Sequence, residues 1–144
     1  MVHVVRTFTV ATQPDEAIAY LADFTNAEAW DPGTVSCVRT DAGPVRVGAT
    51  WHNTSKILGS DTELDYRLEH LDDTTVRLVG ENKTATATDV ITVVAVAGGT
   101  EVTYDATVEL HGAAKLAAPL MQLEFEKLGR QTVEGIQREL GKGP

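Results

Sequence analysis

Residues 98–112 read GGTEVTYDATVELHG, a tight turn, then a strand and a further glycine. The Gly98-Gly99 pair is typical of a two-residue hairpin between antiparallel strands. The strand after it alternates apolar and polar side chains, so each kind lies on its own face. Its apolar face carries Val102, Tyr104, Ala106, Val108 and Leu110. This segment therefore predicts an antiparallel sheet whose last strand ends at Gly112.

Beyond Gly112 the sequence predicts one long helix over residues 113–140. Its apolar stripe recurs at spacings of three and four: Met121, Phe125, Leu128, Thr132, Ile136 and Leu140. Leu116, Leu120 and Leu123 are expected to widen that stripe at its start, and Pro119 is expected in the first turn or at a kink. A helix of roughly 28 residues is about 40 Å long, which is enough to cross a sheet.

The residues before the hairpin predict a strand, two short helices and further strands. Residues 2–10 are β-branched and aromatic, which suits a strand. The segment Thr12-Gln13-Pro14-Asp15-Glu16 has the residue types of a helix start, and residues 27–30 can add one more turn. After Gly33 the apolar period changes to two. Strands are predicted at 35–40, 49–58, 62–71, around 76–78 and at 85–97.

These elements predict a single α+β domain over residues 1–144. A curved antiparallel sheet of seven strands, apolar on one face, needs a cover, and the C-terminal helix can supply it. A curved sheet does not close flat against a straight helix. Small inward residues (Ala49, Gly80, Ala106) leave further room between the two. We therefore expect a cavity between the sheet and the helix.

The charge balance limits which classes of partner are expected. The chain has 21 acidic and 12 basic residues, a formal net charge of −9. Nucleic acids and anionic membranes are bound by basic surfaces, so neither is expected as the main partner. The start of the chain lacks the pattern of a signal peptide, and no apolar run approaches the roughly 20 residues that span a bilayer. We expect a cytoplasmic protein without membrane insertion.

Motifs for metals and nucleotides are missing from the sequence. Cys37 is the single cysteine, so the chain can form no internal disulfide and no multi-cysteine metal site. The spacing of the four histidines fits no metal motif. Gly98-Gly99 precedes a strand rather than a helix, so it does not cradle a phosphate. We expect no metal and no cofactor.

The order of elements resembles the START-like helix-grip superfamily, also called SRPBCC, and within it the polyketide cyclase/dehydrase-like branch. The resemblance runs from about Val2 to Leu140. It is carried by residues 11–16, 19–24, 29–33, 98–104 and 110–112. It implies a helix-grip fold with a ligand in the tunnel between sheet and helix. Members of the family include polyketide aromatase/cyclases and carriers of lipids and hormones.

In the polyketide cyclases of this family, polar groups inside the tunnel steer and protonate the substrate. Here the inward face of strand 62–71 carries Leu64, Tyr66 and Leu68 and reaches a basic residue only at His70. Tyr66 and Tyr104 are the candidate proton donors, and His70 at the tunnel mouth is the candidate relay. Each tyrosine also fits a plain wall position, and His70 also fits a solvated strand end; the residues by themselves favour these readings.

Ligand contacts are predicted from the inward phases of the strands and the helix. The candidates are Trp30, Trp51, Asn53, Leu64, Tyr66, Tyr104, Met121, Phe125 and Leu128. Trp30 could close one end of the tunnel or pack in the core. Asn53 and Ser55 are polar residues on an inward face, so they need partners there; a ligand, a water or an edge facing solvent could supply them.

Three functions stay open at this level. The first is binding of a hydrophobic small molecule, with cyclase, aromatase or dehydratase activity on a polyketide-like substrate. The second is a non-catalytic carrier or sensor of a lipid or hydrophobic metabolite. The third is a protein-interaction adaptor. Polar groups inside the tunnel would favour the enzyme, and an entirely apolar tunnel would favour the carrier. A large exposed apolar patch would favour the adaptor. The sequence leaves the oligomeric state open.

Overall fold

The computed structural model describes residues 1–144, which form one antiparallel sheet of seven strands with helices on its concave side. The strands are β1 Val2–Val10, β2 Thr34–Arg39, β3 Thr50–Ile57, β4 Ser60–Leu71, β5 Thr75–Glu81, β6 Ala85–Val96 and β7 Gly99–Leu110. Their order in the sheet is β1-β7-β6-β5-β4-β3-β2. The predicted α+β architecture is therefore confirmed.

The helices follow the predicted order with one change of length. They are α1 Pro14–Ala22, α2 Ala27–Trp30 and α3 Ala118–Leu140. A 3-10 helix at Gly112–Ala117 replaces the expected first turns of α3. Pro119 lies in the first turn of α3, where its missing N–H has no helical partner to lose. No helix combines the length and the apolar character that crossing a bilayer requires.

The prediction that three leucines widen the buried stripe of α3 was wrong. Leu116, Leu120 and Leu123 are 88%, 56% and 70% exposed. The side of α3 that meets β1 here is polar. Gln122 Nε2 donates to the His3 carbonyl oxygen at 2.9 Å, and Arg6 Nη2 donates to the Glu126 carboxylate at 2.8 Å. These contacts turn the leucines to the outside.

The C-terminal half of α3 fixes the position of α2. Gly135 of α3 lies so close to the backbone of Trp30 that an added Cβ would overlap the Trp30 carbonyl oxygen. Helices approach this closely only where a side chain is missing. The contact holds the end of α2, and the residue after it, against the interior of the protein.

Candidate functional site

A cavity lies between the concave face of the sheet and α3. Side chains from β1, β3, β4, β6, β7 and α3 enclose a volume of about 210 Å³, and most of its lining is apolar. One water molecule needs roughly 10–15 Å³ of such space. Pockets for drug-sized ligands are larger, at roughly 300–1,000 Å³. The cavity therefore suits a compact ligand, or one whose end remains in the mouth.

The two ends of the cavity differ in exposure. Thr84 is exposed, and Ala117 and Met121 are partly exposed, so the mouth lies beside the start of α3. At the other end Tyr66 and Tyr104 are each only 7% exposed. A ligand entering at the mouth thus moves past apolar walls toward a buried end that contains hydroxyl groups.

The structure brings six of the nine predicted contact residues to this cavity. They are Leu64, Tyr66, Tyr104, Met121, Phe125 and Leu128. The other three lie behind the cavity wall. Trp30 and Trp51 are buried in the core, where Trp51 Nε1 donates to Thr25 Oγ1 at 3.1 Å. The Trp30 indole N–H is buried without a hydrogen-bond partner in the protein.

Asn53 finds its partners within the protein rather than in the cavity. Its Oδ1 accepts a hydrogen bond from Ser55 Oγ at 2.6 Å, and its Nδ2 donates to Thr34 Oγ1 at 3.3 Å. The side chains of Asn53 and Ser55 are both buried, so the edge facing solvent, which the sequence left open, does not apply. Only Ser55 reaches the cavity lining.

The structure places His70 away from the tunnel. Of the two readings that the sequence left open, the solvated strand end fits the structure and the relay at the tunnel mouth does not. The pairing of β4 with β5 shifts between Leu68 and His70, which marks a β-bulge. A bulge inserts one residue, so the alternation beyond it is reversed. His70 is exposed on the outer face, where its Nε2 lies 2.7 Å from Asp72 Oδ2. Leu71 packs against the core in its place.

Asp89 is a buried acid that the sequence reasoning missed. Its neighbours in phase on β6 are Ala87 and Ile91, and Asp89 itself is 7% exposed and lines the cavity. Tyr104 Oη donates to its carboxylate at 3.3 Å. Burial, and then the negative charge of Asp31, raise the pKa of Asp89 to about 7, although the Tyr104 hydrogen bond lowers it. A carboxyl group with this pKa is half ionised at neutral pH.

Asp31, the residue after α2, is a second acid in the lining. It accepts hydrogen bonds from Gly33 N and Thr34 Oγ1, each at 3.0 Å. Burial raises the pKa of Asp31, and these two hydrogen bonds oppose the rise. In the sequence Asp31 stood out only as one of the residues 29–33 that carry the family resemblance. The sequence did contain a signal for Asp89. With a period of two across residues 85–97, this acid falls on the same strand face as the apolar residues Ala87 and Ile91.

The two tyrosines of the cavity are fixed by aromatic neighbours. The ring centroid of Tyr66 lies 4.5 Å from that of Phe24, and the Tyr104 ring lies 5.9 Å from Trp30. Burial and the nearby negative charge of Asp89 raise both tyrosine pKa values well above the ordinary value. Both hydroxyl groups therefore keep their protons at neutral pH and act as hydrogen-bond donors.

Gly80→Ala is expected to displace the Tyr66 ring. A Cβ at this position would lie 2.6 Å from the Cε2 and Cζ atoms of Tyr66, and overpacking of this kind costs about 1–3 kcal/mol. Urea denaturation measures the loss, and near-ultraviolet circular dichroism reports the moved ring. Gly33→Ala is the matched control, because its added Cβ meets nothing closer than 3.7 Å. Equal stability of the two variants would contradict the prediction.

Comparison with known proteins identifies the family. A family model described as polyketide cyclase / dehydrase and lipid transport matches residues 1–141. The chain belongs to this family. The fold is also that of a START superfamily protein from Mycobacterium smegmatis, with a TM-score of 0.79, 12% identity and 96% of each chain covered.

A second solved structure with this fold is the Zhui aromatase/cyclase from a Streptomyces species. Its TM-score is 0.79 at 14% identity, and the alignment covers 96% of this chain and 92% of that one. A search of curated protein sequences found no match. The START-like helix-grip assignment made from the sequence is thus confirmed.

Proposed function

We propose that the protein binds a hydrophobic small molecule in the cavity and catalyses cyclisation or dehydration of a polyketide-like substrate. The observation that carries the proposal is the contact between Asp89 and Tyr104 at the buried end of an apolar cavity. Membership of the polyketide cyclase / dehydrase and lipid transport family supports it. So does the shared fold with a protein named as an aromatase/cyclase.

Cyclisation of a polyketone needs a base that takes a proton from the carbon between two carbonyl groups. The ionised form of Asp89 can accept that proton, since a base with a pKa near the working pH is the most effective. The carbanion then attacks a second carbonyl carbon of the same chain and forms a new carbon–carbon bond. Tyr66 and Tyr104 can donate hydrogen bonds to the developing enolate and alkoxide oxygens.

Dehydration uses the same carboxyl group in its other form. After ring closure, protonated Asp89 returns its proton to the alkoxide, which becomes a hydroxyl group. The regenerated carboxylate then takes the adjacent C–H proton and passes it to this hydroxyl group, which leaves as water as the double bond forms. In this proposal Asp89 takes the role assigned from the sequence to His70, which lies on the outer face. Tyr66 and Tyr104 keep their proposed role as donors.

The test has two parts. Native mass spectrometry of the protein purified from its own host looks for a bound small molecule. Incubation with a poly-β-ketone substrate then looks for a product lighter by one water. A bound apolar molecule together with such a product is the expected result. Failure to bind any apolar ligand would overturn the whole proposal.

A non-catalytic carrier is the second candidate, and one observation favours it. Between the mouth and the buried tyrosines the lining is made mostly of apolar side chains from the sheet and α3. This surface can hold a hydrophobic molecule without reacting with it. Binding without turnover would move the carrier to first place.

Phe125→Ala and Leu128→Ala are each expected to weaken binding of an environment-sensitive apolar dye. Each substitution removes apolar surface from the cavity wall. A loss of about 1 kcal/mol of binding free energy corresponds to a roughly fivefold lower affinity. Fluorescence titration measures it. Truncation of a tightly packed residue costs about 2–5 kcal/mol of stability, so thermal unfolding is followed alongside.

Leu123→Ala is the matched control for these two variants. It lies on the same helix, but its side chain is 70% exposed and outside the cavity. Dye binding should therefore match that of the parent protein. Unchanged binding in folded Phe125→Ala and Leu128→Ala would show that α3 is no wall of the binding site.

A further inference from the structure

The ionisable groups of the cavity are all acids. Asp31, Asp89, Tyr66 and Tyr104 line it, and no lysine, arginine or histidine does. Arg6 stands opposite Tyr104 in the pairing of β1 with β7. Its Nη2 is already bound to the Glu126 carboxylate at 2.8 Å and to the Glu126 carbonyl oxygen at 3.3 Å. The buried carboxyl groups therefore have no positive partner within the protein.

We propose that the ligand carries a protonated amine, held at the buried end of the cavity by Asp89 and the rings of Tyr66 and Tyr104. Its apolar body extends along α3 toward the mouth. This inference rests on the proposed binding function and not on the proposed reaction. A carboxylate held by an ammonium group is not free to act as a base and acid, so an amine ligand would be a carried molecule.

The hydrogen bonding of Asp89 leaves room for such a group. Its carboxylate accepts one bond, from Tyr104 Oη at 3.3 Å, which is long for an O–H···O contact. An ionised carboxylate has about four acceptor sites. An ammonium group would supply both the missing donors and the missing charge. Charge-assisted hydrogen bonds of this kind are about twice as strong as neutral ones.

The aromatic lining favours the same ligand charge. Two tyrosine rings lie beside the carboxylate in the lining, and aromatic rings attract cations at their faces. A ligand carboxylate would instead add a third negative group next to Asp31 and Asp89. An alcohol of the same shape gains neither effect. The expected order of affinity is amine, then alcohol, then carboxylate.

Release of a proton from Asp89 on ligand binding gives a direct test for a bound amine. The charged and titratable groups around it are Tyr104 and Asp105 on β7, Tyr66 on β4 and Asp31 after α2. The residues of α3 that line the cavity carry no charge. Asp89 is largely protonated at about pH 6, since its pKa is about 7. A bound ammonium stabilises the ionised form, so amine binding should release a proton.

The experiment uses phenylbutylamine, phenylbutanol and phenylbutyrate as probes that differ only in the polar end. Calorimetry at about pH 8 should show the amine binding about tenfold tighter than the alcohol, the gain of a hydrogen bond to a charged group. At about pH 6, titrations in buffers of different ionisation enthalpy should show nearly one proton released per amine. The parent protein alone suffices for both measurements.

Asp89→Asn should bring amine and alcohol to within about threefold of each other, because the buried charge is gone. Asp73→Asn removes the same charge from an exposed turn and should keep the preference. If the parent protein binds amine and alcohol equally and releases no proton, the inference is wrong. The proposed binding function would still stand if the protein binds the apolar dye. If the protein does not bind the dye, the proposed function itself is wrong.

Discussion

Asp89→Asn is expected to be more stable than the parent protein at about pH 8, by an amount that disappears at about pH 4. The pKa of Asp89 is about 7 in the folded protein and roughly 3.9 in an unfolded chain. The folded state thus binds the proton more tightly than the unfolded state. Its contribution to stability is fully present below the unfolded pKa and is lost as the pH rises to the folded pKa.

The size of this stability difference is set by the difference between the folded and unfolded pKa values of Asp89. Each unit is worth 1.36 kcal/mol, so about three units correspond to about 4 kcal/mol of unfolding free energy. Asparagine cannot ionise and does not lose this contribution. Urea denaturation of both proteins between about pH 4 and pH 8 measures the difference, and the carboxyl groups that do not interact with Asp89 cancel in it.

Asp73→Asn serves as the control, because Asp73 lies exposed in the turn between β4 and β5. Its stability curve should run parallel to that of the parent protein over the whole pH range. If Asp89→Asn also runs parallel, then Asp89 is ionised in the folded protein, and its assignment as a proton-exchanging group fails with it.

Tyr104→Phe and Tyr66→Phe are each expected to lower turnover of a genuine substrate by a factor of about 10²–10⁴. The substitution keeps the ring and removes only the hydroxyl group. The proposed reaction loses the donor that stabilises the oxygen anion, and in the first variant Asp89 also loses its hydrogen bond. Steady-state kinetics measures the change, and dye titration checks that the cavity still binds.

Tyr20→Phe is the matched control for both tyrosines. Its hydroxyl donates to Glu139 at 3.2 Å outside the cavity, so turnover should be unaffected. Full turnover in Tyr66→Phe and Tyr104→Phe with intact binding would make the hydroxyl groups plain wall groups. The carrier would then be the better account of the protein.

Local sequence patterns were sufficient for the architecture. Alternation, the Gly98-Gly99 hairpin and the spacing along α3 each report one face of one element, and those faces combine in only a few ways. The three exposed leucines show the limit of this reasoning. A helical stripe does not say which side meets the sheet, and here Gln122 and Glu126 on α3 meet β1 instead.

The candidate site was less accessible from the sequence, because its residues come from elements far apart in the chain. A single bulge after Leu68 reversed the direction of His70, and no local pattern announces a bulge there. Trp30 and Trp51 are aromatic and inward, yet they pack in the core and do not line the cavity. Asp89 carried a readable signal, an acid in an apolar phase, but its partner Tyr104 is known only from the pairing of β6 with β7.

The pairing of β1 with β7 also governs how a newly made molecule reaches its binding-competent state. Val10 pairs with Thr100 and Val2 with Val108, so β1 leaves the ribosome long before its partner strand exists. Contacts between residues so distant in the chain make folding slow. The cavity also lacks one wall until α3 has been synthesised. A new protein molecule can therefore bind its ligand only after α3 has been synthesised.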